Sequence, residues 1–412
     1  MGNLDSGKIR ARRAFAFAFL LMFSGCSLLG LKGEGDFWAS FVKPDVLLVL
    51  VEPGAFRDLG PQLEAYRVDL LSEGVKALIE PCGAASPREV LDLIKARRAE
   101  RGIDGVFLVG DLPSAWYEMD TFRGDESFPF DLYYEDLDAQ WYDADSDGRF
   151  DSHSSLKADI FVSRIMGSAA GLAAYFGKVH AYRSGALTYD KRALLFKDDD
   201  WVSFERGSSM GLRRVYADVE IRDSVALTTR SGYRASMTDR GIEFVNQWIH
   251  AYPTALCIKE SDGFHELNLG DVRADDYRGL FYNLFDCSAA RFTEANLAET
   301  YLIGTQYGLA ALGSTKVGGA YDSRAFYGVL SRSGCWGEAY RVWYNATGSQ
   351  DDGWFLGMII LGDPTLTLHP TASQGVLVDF DTPPDTSLSI KTELKDNLND
   401  FQNSYIPAGA AR

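Results

Sequence analysis

The chain predicts an α/β fold in two halves, each half a mostly parallel sheet flanked by helices. Three observations lead there. Apolar runs such as Asp45–Val51 and Gly105–Gly110 carry no polar alternation, which marks strands covered on both faces. Segments of helical periodicity lie between these runs, so strand and helix alternate. The alternation runs to about Arg183 and begins again near Arg192, which divides the folded part in two.

Taken in order, the strand Asp45–Val51 leads to a helix from about Phe56 to Ser72, and Val75–Ile79 is the next strand. Pro87–Arg101 is a helix with Ser86 as its cap, because a hydroxyl just before the first turn can accept an otherwise unbonded N–H. Gly105–Gly110 is a strand ending in Asp111, Ala158–Val162 a further strand, and Ala169–Arg183 a helix. In the second half, Ala193–Phe196 reads as a strand, about Asp239 to His250 as a helix, and Thr254–Ile258 as a strand. The strand beginning at Gly279 ends in Asp286 and Cys287, and a helix follows from about Glu294 to Gly308. Leu309–Gly313 is the next strand, and the last helix runs from about Gly334 to Trp343. The halves are residues 45–187 and 188–370, and residues 371–412 form a polar tail with Pro383-Pro384, expected to be extended or disordered.

Residues 1–26 read as a targeting segment. Lys8 to Arg13 are basic, and Ala14 to Phe23 form an apolar stretch short for a bilayer. Ser24-Gly25-Cys26 then looks like a bacterial lipobox, with Phe23 where Leu is usual. On that reading Cys26 is lipidated, residues 27–44 are a tether, and the protein sits at the cell envelope, on the outer membrane if the cell has two. Ordinary signal cleavage and an uncleaved anchor are the alternatives. Of 412 residues 46% are hydrophobic, enough for a sizeable core. The net charge is -17, and loss of residues 1–25 takes it to about -20, which argues against nucleic-acid binding. Besides Cys26 there are Cys82, Cys257, Cys287 and Cys335, which could pair in three ways that the sequence does not choose among.

Cys287 ends a buried strand and precedes Ser288-Ala289-Ala290, a turn of small residues. Open α/β sheets place their chemistry outside the carboxyl ends of their strands, where a thiol with a base beside it is a nucleophile. A buried structural cysteine is the alternative. Asp143, Asp145, Asp147 and Asp151, with Gly148 for the sharp turn and the Arg149 carbonyl, follow the first nine positions of an EF-hand loop. The closing Glu is absent, since the twelfth position is Ser154, so a structural calcium site of the short, extracellular kind is expected. No organic cofactor is implied.

Six segments in this order, Val106–Asp111, Asp131–Asp138, Ala158–Ile165, Asn283–Phe292, Gly308–Thr315 and Leu361–Leu366, resemble the gingipain-like cysteine peptidases, a bacterial family with a caspase-like fold. The resemblance implies a bilobed fold and a Cys/His dyad acting on a protein or peptide substrate, with Cys287 as nucleophile. The family carries its His where the strand before the Cys strand ends, usually followed by Gly. With Thr254–Ile258 as that strand, its exit holds His265, the expected base, with Glu260 or Asp262 to orient it and the Gly263 amide near the oxyanion. Asp286 is a candidate substrate contact, and Trp116 and Tyr117 are candidates for the crevice wall or the core. His180 and His250 fit helical positions. The rival expectation is a silent peptidase fold, kept as a lipoprotein for binding or envelope assembly.

Overall fold

The computed structural model describes residues 43–121, 124–202, 207–319 and 324–371. Cys26, the targeting segment, nearly all of the tether and the tail lie outside them. The strands in chain order are β1 (Val46–Val51), β2 (Lys76–Pro81), β3 (Gly105–Val109), β4 (Ala115–Thr121), β5 (Gly124–Phe130), β6 (Trp141–Tyr142), β7 (Ser152–His153), β8 (Phe161–Ile165), β9 (Asp190–Lys197), β10 (Val219–Arg222), β11 (Ile242–Trp248), β12 (His250–Tyr252), β13 (Ala255–Glu260), β14 (Gly263–Asn268), β15 (Gly279–Phe285), β16 (Ala310–Ser314) and β17 (Met358–Gly362).

Ten of these form one sheet in the order β10-β9-β11-β15-β16-β17-β8-β3-β1-β2. Neighbours are parallel throughout except β16 and β17, which are antiparallel. The two sheets expected from the sequence are therefore joined edge to edge. Because the junction is antiparallel, the first-half strands and β17 end on one edge of the sheet, and the other second-half strands end on the opposite edge. Strands β1, β3, β8, β11, β15, β16 and β17 are almost entirely buried, as continuous apolar runs require when helices cover both faces.

Most elements fall where periodicity put them. The helix Pro87–Arg101 is capped by Ser86, whose Oγ accepts from Glu89 N–H at 3.3 Å, and it stops at Gly102, whose φ of 68° is left-handed. The helix after the Cys287 turn is shorter than expected, Leu297–Ile303. One segment departs altogether. Residues 239–250 are not a helix: a helix ends at Asp239, and Ile242–Trp248 is the buried strand β11. Its polar residues look solvent-facing in the sequence but are bonded inside. Glu243 accepts from Tyr182 Oη at 2.7 Å, Asn246 donates to Tyr327 Oη at 2.7 Å, and Gln247 accepts from Tyr233 Oη at 2.6 Å. Thr254–Ile258 correspondingly lies outside the main sheet, in the antiparallel sheet β12-β13-β14.

The insertion between β3 and β8 forms the hairpins β4–β5 and β6–β7. Asp131, just after β5, makes a fully buried ion pair with Arg164 of β8. The Arg164 guanidinium in turn lies 3.8 Å from the centre of the Phe292 ring, in the segment after Cys287. Thus the insertion, the first half of the sheet and the chain beyond the thiol are packed together.

Candidate active site

β11 and β15 run side by side with Trp248 level with Phe285, and these two rings stack at 4.2 Å. Past that pair the chains stay joined: Ile249 N–H donates to one Asp286 oxygen at 3.1 Å, and the Gln247 amide donates to the other. Asp286 is buried, and burial pushes its carboxyl well above the usual range against the pull of these bonds. It is fully buried and braces two strand ends. His250 and Cys287 each follow their register partner by two residues, so they leave the sheet at the same level. Cys287 is half-buried, and Ser288 after it has φ 56°, a left-handed kink in a non-glycine residue.

His250 opens β12, opposite Cys257 of β13, and the Cys257 thiol feels the charge of Cys287. Register and electrostatics thus bring His250, Cys257 and Cys287 to one place. Burial pushes the Cys257 thiol up, so of these two sulfurs Cys287 is the one with access to solvent. All four cysteines of the described residues are free.

Asp200, just after β9, holds His250 Nε2 with its Oδ2 at 3.0 Å and also takes the Lys259 ammonium. Burial alone would raise the Asp200 carboxyl, but the imidazole and the ammonium outweigh it and leave the group below its ordinary range. The neighbouring acids have other work. Asp198 accepts from Lys259 N–H at 2.9 Å, and Asp199 accepts from Thr228 Oγ1 at 2.7 Å. Trp201 and Phe264 cover the imidazole, with ring centres 5.0 and 5.8 Å away.

The residues expected to hold the base lie elsewhere. His265 is on β14, level with Ile258 of β13, whereas Cys257 is level with His250 and Glu266. Side chains alternate along a strand, so His265 stands on the opposite face of the small sheet from Cys257 and His250. Its Nε2 is 2.8 Å from Asp262, and Glu260 accepts from Arg230 N–H at 2.8 Å. Asp262 does orient an imidazole, but that pair belongs to the tip of the β13–β14 hairpin. Sequence reasoning missed His250 and Asp200. The helix drawn through 239–250 hid the first. The signal for the second was present: three consecutive aspartates directly after a buried strand. Trp116 and Tyr117 lie on β4; Arg291 sits over the Trp116 ring at 5.7 Å, and Tyr117 is buried, with its hydroxyl on the Asp151 carbonyl.

The aspartate loop is closed by β6 and β7. Asp143 accepts from the N–H groups of Asp147 and Gly148 at 3.2 and 3.0 Å, and Asp151 accepts from Ala144 N–H at 2.7 Å. Gly148 has φ 94°, as the turn requires. Oxygen atoms of Asp143, Asp145 and Asp151 lie within 4.8 Å of one another, and so do those of Asp145, Asp147 and Glu118, the last supplied by β4. Such an all-carboxylate set suits a hard cation. The Arg149 guanidinium turns back to Glu118 and Asp147, at 3.4 and 3.5 Å.

A family model described as peptidase family C25 matches residues 68–369. Among solved structures the chain is similar to the Arg-specific cysteine proteinase gingipain R, with a TM-score of 0.56 and 13% identity over 83% of this chain and 80% of that one. No curated protein matches the chain.

Proposed function

The chain belongs to peptidase family C25, and on that premise we propose that it is a cysteine endopeptidase whose nucleophile is Cys287 and whose base is His250. The reading rests chiefly on one observation: β11 and β15 are adjacent parallel strands that deliver an imidazole and a thiol at the same level of one sheet edge. Cys287 Sγ gives its proton to His250 Nδ1 and attacks the scissile carbonyl carbon. The backbone amides of Cys287 and of Ala251, which stands where the family usually has Gly, face the carbonyl oxygen as negative charge gathers there. His250 returns the proton to the departing amine, and water then hydrolyses the thioester, regenerating the thiol. Asp200 fixes the imidazole through Nε2 and stabilises it while charged.

The test is a thiol-directed peptidyl probe applied to the full chain, with the label located by mass spectrometry. Label is expected on Cys287, lost in His250→Ala and retained in His265→Ala. Retention in His250→Ala with loss in His265→Ala sinks the assignment of the base. Absence of label on Cys287 in the unaltered protein favours the silent, binding or envelope-assembly reading.

Two further features complete the reading. The loop Asp143–Asp151 holds calcium and so pins the insertion that carries it. A chelator is then expected to lower the melting temperature by several degrees, Asp145→Ala to do so without a chelator, and the two not to add. Lipidation at Cys26 tethers the enzyme to the cell envelope; metabolic labelling with a fatty-acid analogue, lost in Cys26→Ser, is the check. Among the described residues no helix is long and apolar enough to cross a membrane.

A further inference from the structure

Burying an ammonium costs several kcal/mol unless fixed partners replace its water. Lys316, in the segment leaving β16, is fully buried. Its stem passes Gly357, where a Cβ would lie only 2.7 Å from the lysine Cγ, so that glycine keeps the channel open. Its ammonium donates to the carbonyls of Val317 at 2.6 Å and Gly353 at 2.8 Å. Glu126 of β5 reaches the same place: one oxygen accepts from Val317 N–H at 3.1 Å, and the other is buried without a hydrogen-bond partner. A methionine would fill this channel without the cost of a charge, so packing alone does not account for a lysine here.

The same residue is bonded to the thiol-bearing turn. The Lys316 carbonyl accepts from Ser288 N–H at 2.9 Å, and Ala290 N–H donates to the Ser314 carbonyl at 3.0 Å. The kinked backbone after Cys287 is thus held by the chain that carries the ammonium. Burial pulls the Lys316 ammonium down to about 8, while Glu126, Cys287 and Asp351 act in the other direction. The charged or titratable groups that act here include these acids, Asp198 after β9, Glu266 of β14, His250 of β12, and Cys257 of β13.

The geometry points to Lys316 as a positioning residue for the nucleophile: its carbonyl holds the turn that presents Cys287, and its buried ammonium favours thiolate over thiol. This rests on Cys287 being the nucleophile. Lys316 touches no substrate; it acts through the sulfur and through the turn that presents it. Glu126 favours the protonated ammonium but adds a negative charge of its own, which opposes the thiolate.

Alkylation of Cys287 by iodoacetamide, followed by peptide mass spectrometry across the pH range, reads the thiolate directly and needs no peptidase activity. Lys316→Met is expected to raise the alkylation midpoint by about one pH unit or more, and Glu126→Gln, which keeps an acceptor for Val317 N–H, to lower it. A lysine with only an architectural role would not give shifts of opposite sign. If Cys287 reacts normally and neither midpoint moves, the role of Lys316 is overturned and the peptidase reading stands. If Cys287 of the unaltered protein is not alkylated at any pH, the peptidase reading itself fails. Should Lys316→Met not fold, Lys316→Gln, which is neutral but can still donate to a carbonyl, carries the test: a raised midpoint supports the proposal and an unmoved one overturns it.

Discussion

Two thiols in this molecule follow parallel strands of the same sheet, one on each edge. Cys82 comes directly after β2 and donates its N–H to the Val51 carbonyl at 2.8 Å. Cys287 comes two residues after β15. By position alone they are alike, and what separates them is what the adjoining strand delivers. Beside β2, β1 ends in Glu52, whose carboxylate caps the next helix through Gly54 and Ala55 N–H at 2.8 and 2.7 Å. Beside that, β3 ends in Gly110, where a Cβ would lie 2.6 Å from the Glu52 Cβ. The first edge closes on itself and buries Cys82. On the second edge, His250 comes two residues after β11 and Asp200 three residues after β9, and Cys287 stays half-buried. A strand-end thiol becomes a candidate nucleophile when its neighbour brings an imidazole.

The sharpest test of this contrast is the pair of single substitutions. Cys287→Ala is expected to lower kcat/KM on a peptide substrate by about 10⁴-fold or more, as loss of a nucleophile does, while Cys82→Ala leaves it within about twofold. Equal losses from both would break the comparison. The next effect is on stability and concerns how the insertion is held to the first half of the sheet. Asp131→Ala leaves the Arg164 guanidinium buried and unpaired and is expected to cost about 3–5 kcal/mol in denaturant unfolding; a cost below about 1 kcal/mol would mean that the insertion does not depend on this pair. The smallest effect is a pH dependence. The Asp200 carboxyl is held below its ordinary range in the folded protein, so the stability it contributes is present above the unfolded-state value and is lost as pH falls through the folded value. The melting-temperature advantage of the unaltered protein over Asp200→Asn is therefore expected to persist down to about pH 4 and to shrink below it. An advantage that vanishes near neutrality would point to His250 as the group whose titration matters.

Much of this was legible in the chain. Strands without polar alternation, the Ser86 cap and the Gly148 turn depend on residues close in sequence, and each formed where local chemistry placed it. The place of Cys287 is read the same way, as the end of an apolar run. The place of His250 is not, because β11 carries Glu243, Asn246 and Gln247, and a stretch with polar residues at such intervals reads as a half-exposed helix. Each of the three is bonded to a distant side chain, Tyr182, Tyr327 or Tyr233, and no window of sequence contains those partners. With β11 read as a helix, β13 takes its place beside the Cys strand, and the strand exit then holds His265 in place of His250.

The amino-acid order alone carried the layered α/β class, the strand that ends before Cys287 and the acidic turn, since each is written in spacing over a few residues. Three things waited for the folded chain: the fusion of two half-sheets running in opposite directions, the imidazole that leaves the sheet level with the thiol, and the aspartate bonded to that imidazole. Strand adjacency is decided by contacts between residues tens of positions apart, and a buried polar side chain shows its role only when its distant partner is in view.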